Sequence, residues 1–253
     1  MIQGLLFDYG GTIDTNGLHW GGVLWARYQK YSVPVDQAIF NKAYAFGERA
    51  LAINPLVKPN HTFYEVLRLK IDQQFQFLTE AGFALDQSAV EAIAADCNAF
   101  ARQTVAEAKP ILLELAKQYP LVMVSNFYGN LNTVLDDFGI RSLFQTVIES
   151  AVVGVRKPDP AIYQLGVDYL QLPAGNTVVI GDSYTKDIQP AHQLGCRTVW
   201  LNVAGWEDTP RTGESRTGES VQGVDAEITD FAQLPEQLTR LSGKAAQTVS
   251  DYQ

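Results

Sequence analysis

Apolar residues recur along this chain in two rhythms. Leu5-Leu6-Phe7, Leu121-Val122-Met123-Val124, Thr177-Val178-Val179-Ile180 and Thr198-Val199-Trp200-Leu201 are short, almost unbroken apolar runs rich in β-branched residues. Each runs into polar or turn-forming residues: Asp8-Tyr9-Gly10-Gly11-Thr12, Ser125-Asn126, Gly181-Asp182-Ser183 and Asn202. Runs of this kind predict strands of a parallel sheet that is covered on both faces. The intervening segments have helical periodicity, over Ile111–Gln118, Asn130–Phe138, Ala161–Leu170 and Ile188–Leu194, the last closed by Gly195 as a C-cap. A final strand–helix unit is expected over Ala226–Leu241. This alternation predicts an α/β fold, a Rossmann-like doubly wound parallel sheet, with ligands at the carboxyl ends of its strands.

Residues 15–108 break the alternation. They read as four successive helices, around Val23–Tyr31, Val35–Ile53, Thr62–Ala81 and Ser88–Ala108, with no strand among them. The expectation is an all-helical insertion, 15–108, in a core formed by 1–14 and 109–253. The chain would leave the core through the turn-rich Asp14-Thr15-Asn16-Gly17. It would return through Lys109-Pro110, with proline in the first turn of the next helix. Trp20, Trp25, Tyr28, Phe40, Tyr44, Phe63 and Tyr64 read as packing between the inserted helices, the alternative being that a few of them line a substrate pocket. The repeat Arg211-Thr212-Gly213-Glu214-Ser215, copied at 216–220, is too short for a solenoid and reads as an exposed loop.

Composition narrows the class of protein. With 46% hydrophobic and 19% charged residues the chain can offset its own conformational entropy, so a folded protein is expected. Its 28 acidic and 19 basic residues leave a charge of −9, which argues against nucleic acid and anionic membranes as partners. An anionic ligand would need positive charge gathered locally. Cys97 and Cys196 stand far apart, outside any Cys/His cluster, so neither a disulfide framework nor a thiolate zinc site is expected. There is no basic-then-apolar leader and no apolar run of about 18 residues, so the expected setting is the cytoplasm.

The strand-end loops hold the candidate chemistry. Asp8 beside a glycine turn can be a simple cap, Ser125-Asn126 an ordinary turn, and Asp182 and Asp187 an N-cap and a surface charge. If they converge, Asp8, Asp182 and Asp187 instead form an oxygen-only site suited to Mg²⁺. The Ser125 hydroxyl and neighbouring N–H groups can hold phosphate oxygens. Lys157, in Lys157-Pro158-Asp159-Pro160, reads either as a surface lysine or as a cation that screens a nucleophile from an incoming phosphate.

Taken together, these loops resemble the motifs of the haloacid dehalogenase-like hydrolase superfamily, over essentially the whole chain. Asp8-Tyr9-Gly10-Gly11-Thr12 is similar to its first motif, Ser125 to its second, Lys157-Pro158 to its third, and Gly181-Asp182-Ser183 with Asp187 to its fourth. The resemblance implies a Rossmann-like core with a helical cap between motifs one and two. It also implies hydrolysis of a small phosphorylated molecule through an aspartyl-phosphate on Asp8. Mg²⁺ would be held by Asp8, the Gly10 backbone carbonyl, Asp182 and Asp187. Ser125, Asn126 and Lys157 would bind the substrate.

One position departs from that pattern. Phosphatases of the superfamily carry a second Asp two residues after the nucleophile as general acid and base, and here that position is Gly10. Such a group contributes about 10²–10⁴-fold in rate. The expectation is therefore a weakened activity unless Asp14 or His19 substitutes. The alternatives are a catalytically impaired phosphate-ligand binding or regulatory protein, or a phosphonatase-like or dehalogenase-like hydrolase. For the phosphonatase variant, none of Lys30, Lys42 and Lys58 in the insertion has a sequence context that marks a desolvated amine.

Overall fold

The computed structural model describes residues 1–203 and 221–250. In chain order the elements are β1 Gly4–Phe7, α1 Trp20–Lys30, α2 Gln37–Ile53, α3 Phe63–Glu80, α4 Ser88–Ala116, β2 Leu121–Ser125, α5 Leu131–Asp137, β3 Thr146–Glu149, α6 Ser150–Val153, α7 Ala161–Leu170, β4 Thr177–Gly181, α8 Gln189–Gln193, β5 Arg197–Leu201, β6 Ala226–Ile228 and α9 Leu234–Ser250. The strands form one parallel sheet in the order β3-β2-β1-β4-β5-β6. From β1 the chain winds outward to β3, then crosses back to β4 on the other side of β1. The order therefore reverses between β1 and β4, where a doubly wound sheet opens a crevice above its carboxyl ends.

Strand alternation divides the apolar residues between two layers. Leu5, Phe7, Leu121, Met123, Val178 and Ile180 join the larger core, which continues into the inserted helices through α4 residues such as Val105 and Leu112. Leu6, Val122, Val124 and Val179 turn to the opposite face, against Ile162, Tyr163 and Val167 of α7. Both faces of the sheet are thus covered, as the unbroken apolar runs require.

The helices between β1 and β2 follow the sequence reading closely, and no strand interrupts them. Local signals fix their starts: Asp36 caps α2 through the Ile39 N–H at 2.8 Å, and Glu65 accepts the Thr62 N–H at 2.6 Å before α3. Core contacts from the start of α5 hold the insertion's edge, with Asn130 donating to the His61 carbonyl at 2.8 Å and Thr133 to the Pro59 carbonyl at 2.6 Å.

Three sequence expectations need correction. The helix break at Lys109-Pro110 is absent: α4 runs unbroken from Ser88 to Ala116 with Pro110 inside it, across the expected boundary between residues 108 and 109. Pro110 and Ala106 are both exposed, so the Ala106 carbonyl that loses its N–H partner to proline lies on the solvent side, and the helix continues. A further strand, absent from the sequence reading, forms at Thr146–Glu149 and pairs with β2 at the sheet edge. The helix expected from Ile188 begins earlier, as a wide π-type turn over Tyr184–Ile188 that leads into α8. The 211–220 repeat lies outside the described residues.

Candidate active site

Asp8 follows β1, Ser125 ends β2, and Asp182 follows β4, so the three side chains meet above the sheet where its strand order reverses. Gly11 makes the convergence possible. Its φ of +93° suits glycine, and a Cβ there would lie 2.6 Å from a carboxylate oxygen of Asp182. Thr12 then ties the two loops together, its hydroxyl 3.1 Å from both Asp8 Oδ2 and Asp182 Oδ1 and accepting the Asp182 N–H at 3.1 Å.

Lys157 is 4% exposed and reaches into this group, a burial the isolated sequence did not indicate. Its Nζ lies 2.5 Å from Asp8 Oδ1 and 2.8 Å from Asp187 Oδ1. Ser125 Oγ donates to Asp8 Oδ1 at 3.2 Å. The Asn126 side-chain amide is committed to the Lys157 main chain, which leaves its backbone N–H as the group to meet a substrate. The amide donates to the Lys157 carbonyl at 3.1 Å and accepts the Lys157 N–H at 2.9 Å. Asn126 therefore sets the path by which Lys157 enters the site. Asp187, carried on the π-type turn, also accepts the Tyr163 hydroxyl at 2.7 Å and the Ser183 N–H at 2.9 Å.

The charge in this group is unbalanced, with three carboxylates facing one ammonium. Burial, then the negative charges of Asp8 and Asp187, push Asp182 well above the ordinary carboxyl value. Burial likewise raises Asp8 against the pull of Lys157. Burial alone would lower Lys157, but the attraction of Asp187 and Asp8 outweighs it and holds the ammonium charged. Ligand atoms of Asp8, Asp182 and Asp187 lie within 4.8 Å of one another. An all-oxygen donor set with surplus negative charge suits a hard divalent cation.

A cleft of about 1240 Å³ opens over this group, bounded by the β1 loop, α2, α3 and the loops after β2 and β4. Gly10 is exposed on its wall, and no atom lies within 4 Å of the place a Cβ would occupy. The two residues weighed as substitutes for the missing acid also line it. Asp14 Oδ1 accepts the Gly11 N–H at 2.7 Å and Oδ2 the Trp20 Nε1–H at 2.9 Å, and burial pushes its carboxyl up to about 7. His19 caps α1, its Nδ1 accepting the Gly21 N–H at 3.1 Å.

Higher in the cleft stands a second ionic group, which sequence reasoning missed. Lys70 of α3, only 8% exposed, pairs with Glu48 of α2 at 2.6 Å and lies 5.5 Å from the Tyr128 ring centre. Tyr128, from the loop after β2, donates to Glu48 at 2.8 Å. Lys30, by contrast, is an exposed lysine paired with Asp96, and Lys42 and Lys58 are exposed. Thr12, Tyr163 and the Trp200 indole, which donates to the Asp182 carbonyl at 2.8 Å, were also unassigned. Of these only Thr12 had a local signal, its place in the first glycine turn.

The strand order and the carboxylate–lysine group at the switch point define a doubly wound α/β protein with a charged centre of three carboxylates and one buried ammonium. Residues 2–195 match the family model of the haloacid dehalogenase-like hydrolases, and the chain belongs to that family. Among curated relatives it is 28% identical over 159 residues to 5-amino-6-(5-phospho-D-ribitylamino)uracil phosphatase YigB of Escherichia coli, covering 61% of this chain and 64% of that protein. It is 37% identical over 70 residues to glyceraldehyde 3-phosphate phosphatase of Methanocaldococcus jannaschii, covering 28% of this chain and 31% of that one. The matched stretch thus spans less than two thirds of either relative. A 2-haloacid dehalogenase from Pseudomonas syringae shares the fold, with a TM-score of 0.52 and 23% identity over 95% of this chain and all of that one. Among the described residues no helix is long and apolar enough to cross a membrane.

Proposed function

We propose that this protein is a Mg²⁺-dependent phosphohydrolase of small phosphorylated metabolites that works through an aspartyl-phosphate. The observation that carries this reading is the setting of Asp8: a carboxylate at a strand end, held by a buried ammonium and a serine hydroxyl, beside two further carboxylates. An oxygen of Asp8 bonds to phosphorus as the ester P–O bond breaks, and the leaving alkoxide takes up a proton from solvent water, since Gly10 offers no acid. Water then attacks the phosphorus of the acyl phosphate, releasing inorganic phosphate and restoring Asp8. Lys157 and Ser125 reduce repulsion between Asp8 and the phosphoryl oxygens, and Asn126 keeps Lys157 in place. Asp8, Asp182, Asp187 and the Gly10 carbonyl would hold Mg²⁺, which when bound offsets phosphoryl charge. The helical insertion serves as the cap that covers the cleft and excludes water. The names of the two phosphatase relatives support this class of reaction.

Lys70 is the buried lysine of the insertion, and its charge weighs against a phosphonatase-like reading. Burial alone would lower it, but Glu48 with Tyr128 and Tyr44 holds its ammonium well above the ordinary lysine value, so it offers no free amine for a Schiff base. The surplus of carboxylates weighs against a metal-free dehalogenase. Bare Gly10 favours one other reading, a phosphate-ligand binding protein with little turnover.

The deciding measurement is phosphate release from an activated aryl phosphate and from alkyl phosphates, with Mg²⁺ and with chelator. Release should require Mg²⁺, favour aryl esters, and fall at least about 10³-fold in Asp8→Asn. Gly10→Asp should raise alkyl turnover relative to aryl by up to about 10²-fold, because only poor leaving groups depend on protonation. The open space around Gly10 leaves room for the new side chain, and its φ lies outside the left-handed region. Wild-type turnover in a folded Asp8→Asn protein would rule out the covalent route.

A further inference from the structure

The cleft is lined by five carboxylates and five lysine or arginine side chains, within a chain whose overall charge is −9. The carboxylates have assignments. Asp8 and Asp187 pair with Lys157, Glu48 pairs with Lys70, Asp14 accepts from Gly11 and Trp20, and Asp182 accepts from Thr12. Three of the cations are in no such pair: Arg49, Arg156 and Lys186 are exposed, and their side chains make no hydrogen bond or ion pair among the described residues, although the charge of Lys186 is felt at Glu48. Each sits next in sequence to a fixed residue of the cleft. Arg49 follows Glu48, Arg156 precedes Lys157, and Lys186 precedes Asp187. Their neighbours are tied by ion pairs, so the three positions are held at the cleft wall although the side chains themselves form no ion pair. Arg49 comes from the insertion and the other two from the core, and all three line the cleft. A phosphate monoester alone would be met by Lys157 and Ser125 deep in the site, leaving these three charges without a ligand.

We infer that Arg49, Arg156 and Lys186 form a second anion subsite, and that the substrate carries another anionic group, a carboxylate or a second phosphoryl, beyond the phosphate that is cleaved. This rests on the phosphohydrolase reading for the identity of the substrate, but the subsite can be tested without turnover.

The test is calorimetric binding to the full-length Asp8→Asn protein with Mg²⁺ present, using two matched pairs in which CH₂OH is replaced by a carboxylate. The short pair is glycerol 3-phosphate and 3-phosphoglycerate. The long pair is glucitol 6-phosphate and 6-phosphogluconate. At least one acid should bind about tenfold more tightly than its alcohol, the combined effect of several exposed pairings that are weak individually. The preference should shrink in 0.5 M salt, as interactions at a solvent-exposed rim do. It should fall below about twofold when Arg49→Ala, Arg156→Ala and Lys186→Ala are combined, three exposed substitutions that leave the fold intact. Equal affinities within both pairs, no binding of either acid, or a preference that survives the triple substitution would overturn the inference. A charge-dependent preference in a protein that releases no phosphate from any ester would instead overturn the phosphohydrolase reading and leave the subsite standing.

Discussion

Two buried lysines share one cleft and do different work. Lys157 faces three carboxylates, and burial together with the surplus negative charge keeps Asp182 well above the ordinary carboxyl value. Lys70 faces one carboxylate. Glu48 accepts from Lys70 and from Tyr128, and although burial alone would raise it, the attraction and hydrogen bond of Lys70 hold it below the ordinary value. The first group is electrostatically unfinished, and on the function proposed above it would gain from a cation and a phosphoryl group. The second is neutral and satisfied, and it ties α2 and α3 of the insertion to the loop after β2. Burial alone therefore does not mark the chemical site; charge imbalance under burial does.

The sharpest way to break this comparison is to remove each lysine in turn. Lys157→Met should lower phosphate release by about 10²–10³-fold, the cost of losing one preorganised charge at the reacting group. Because the variant leaves three carboxylates without an ammonium, added Mg²⁺ should raise its melting temperature more than it raises that of the wild type. An equal Mg²⁺ response in the two proteins would show that the imbalance is unimportant.

Lys70→Met should act mainly on stability, by about 2–3 kcal/mol in urea unfolding. That is less than the roughly 3–5 kcal/mol expected for breaking a fully buried pair, because the Glu48 side chain keeps 36% exposure. Its melting temperature should respond to Mg²⁺ as the wild type does. A loss of activity matching that of Lys157→Met, with no loss of stability, would reverse the two roles.

The smallest effect concerns Asp14, which belongs to neither pair. Burial raises its carboxyl from 3.8 to about 7 in the folded chain, so the native state holds a proton that the unfolded state has released. This group's contribution to stability is therefore largest at low pH and is lost as pH rises toward and through 7. Asp14→Asn removes that slope. The stability difference between wild type and variant should be larger at pH 5 than at pH 8, by on the order of 1–2 kcal/mol in urea titrations at the two pH values. A difference that does not change with pH would mean Asp14 is ionised throughout.

The main lines of both fold and site were legible in the sequence because the same local pattern marks both. A buried parallel strand is an apolar run, and the residue that ends it is where the sheet presents chemistry, so Asp8, Ser125 and Asp182 could be located together. Lys157 and Asp187 were legible only through their motifs, since nothing local shows that either is buried. Lys70 was illegible for the opposite reason: one lysine on a long helix reads as solvated, and its partners lie on α2 and in the distant loop that carries Tyr128. β3 escaped because Thr146-Val147-Ile148-Glu149 is short and ends in a carboxylate. Glu149 is nonetheless buried, accepting the Leu131 N–H at 3.2 Å and the Gly129 N–H at 2.5 Å.

The unbroken α4 changes how the insertion can move. With 29 residues it is a rod of about 43 Å that begins in the insertion and ends one loop short of β2. The insertion is thus attached to the sheet by a turn on one side and by a stiff beam on the other. Such a mounting resists sliding and twisting and leaves flexure of the beam as the soft direction. The rung missing between Ala106 and Pro110 is the natural point of flexure, because the backbone there has one fewer bond to stretch. On the cap reading proposed above, opening of the cleft would become the bending of a cantilever at Pro110.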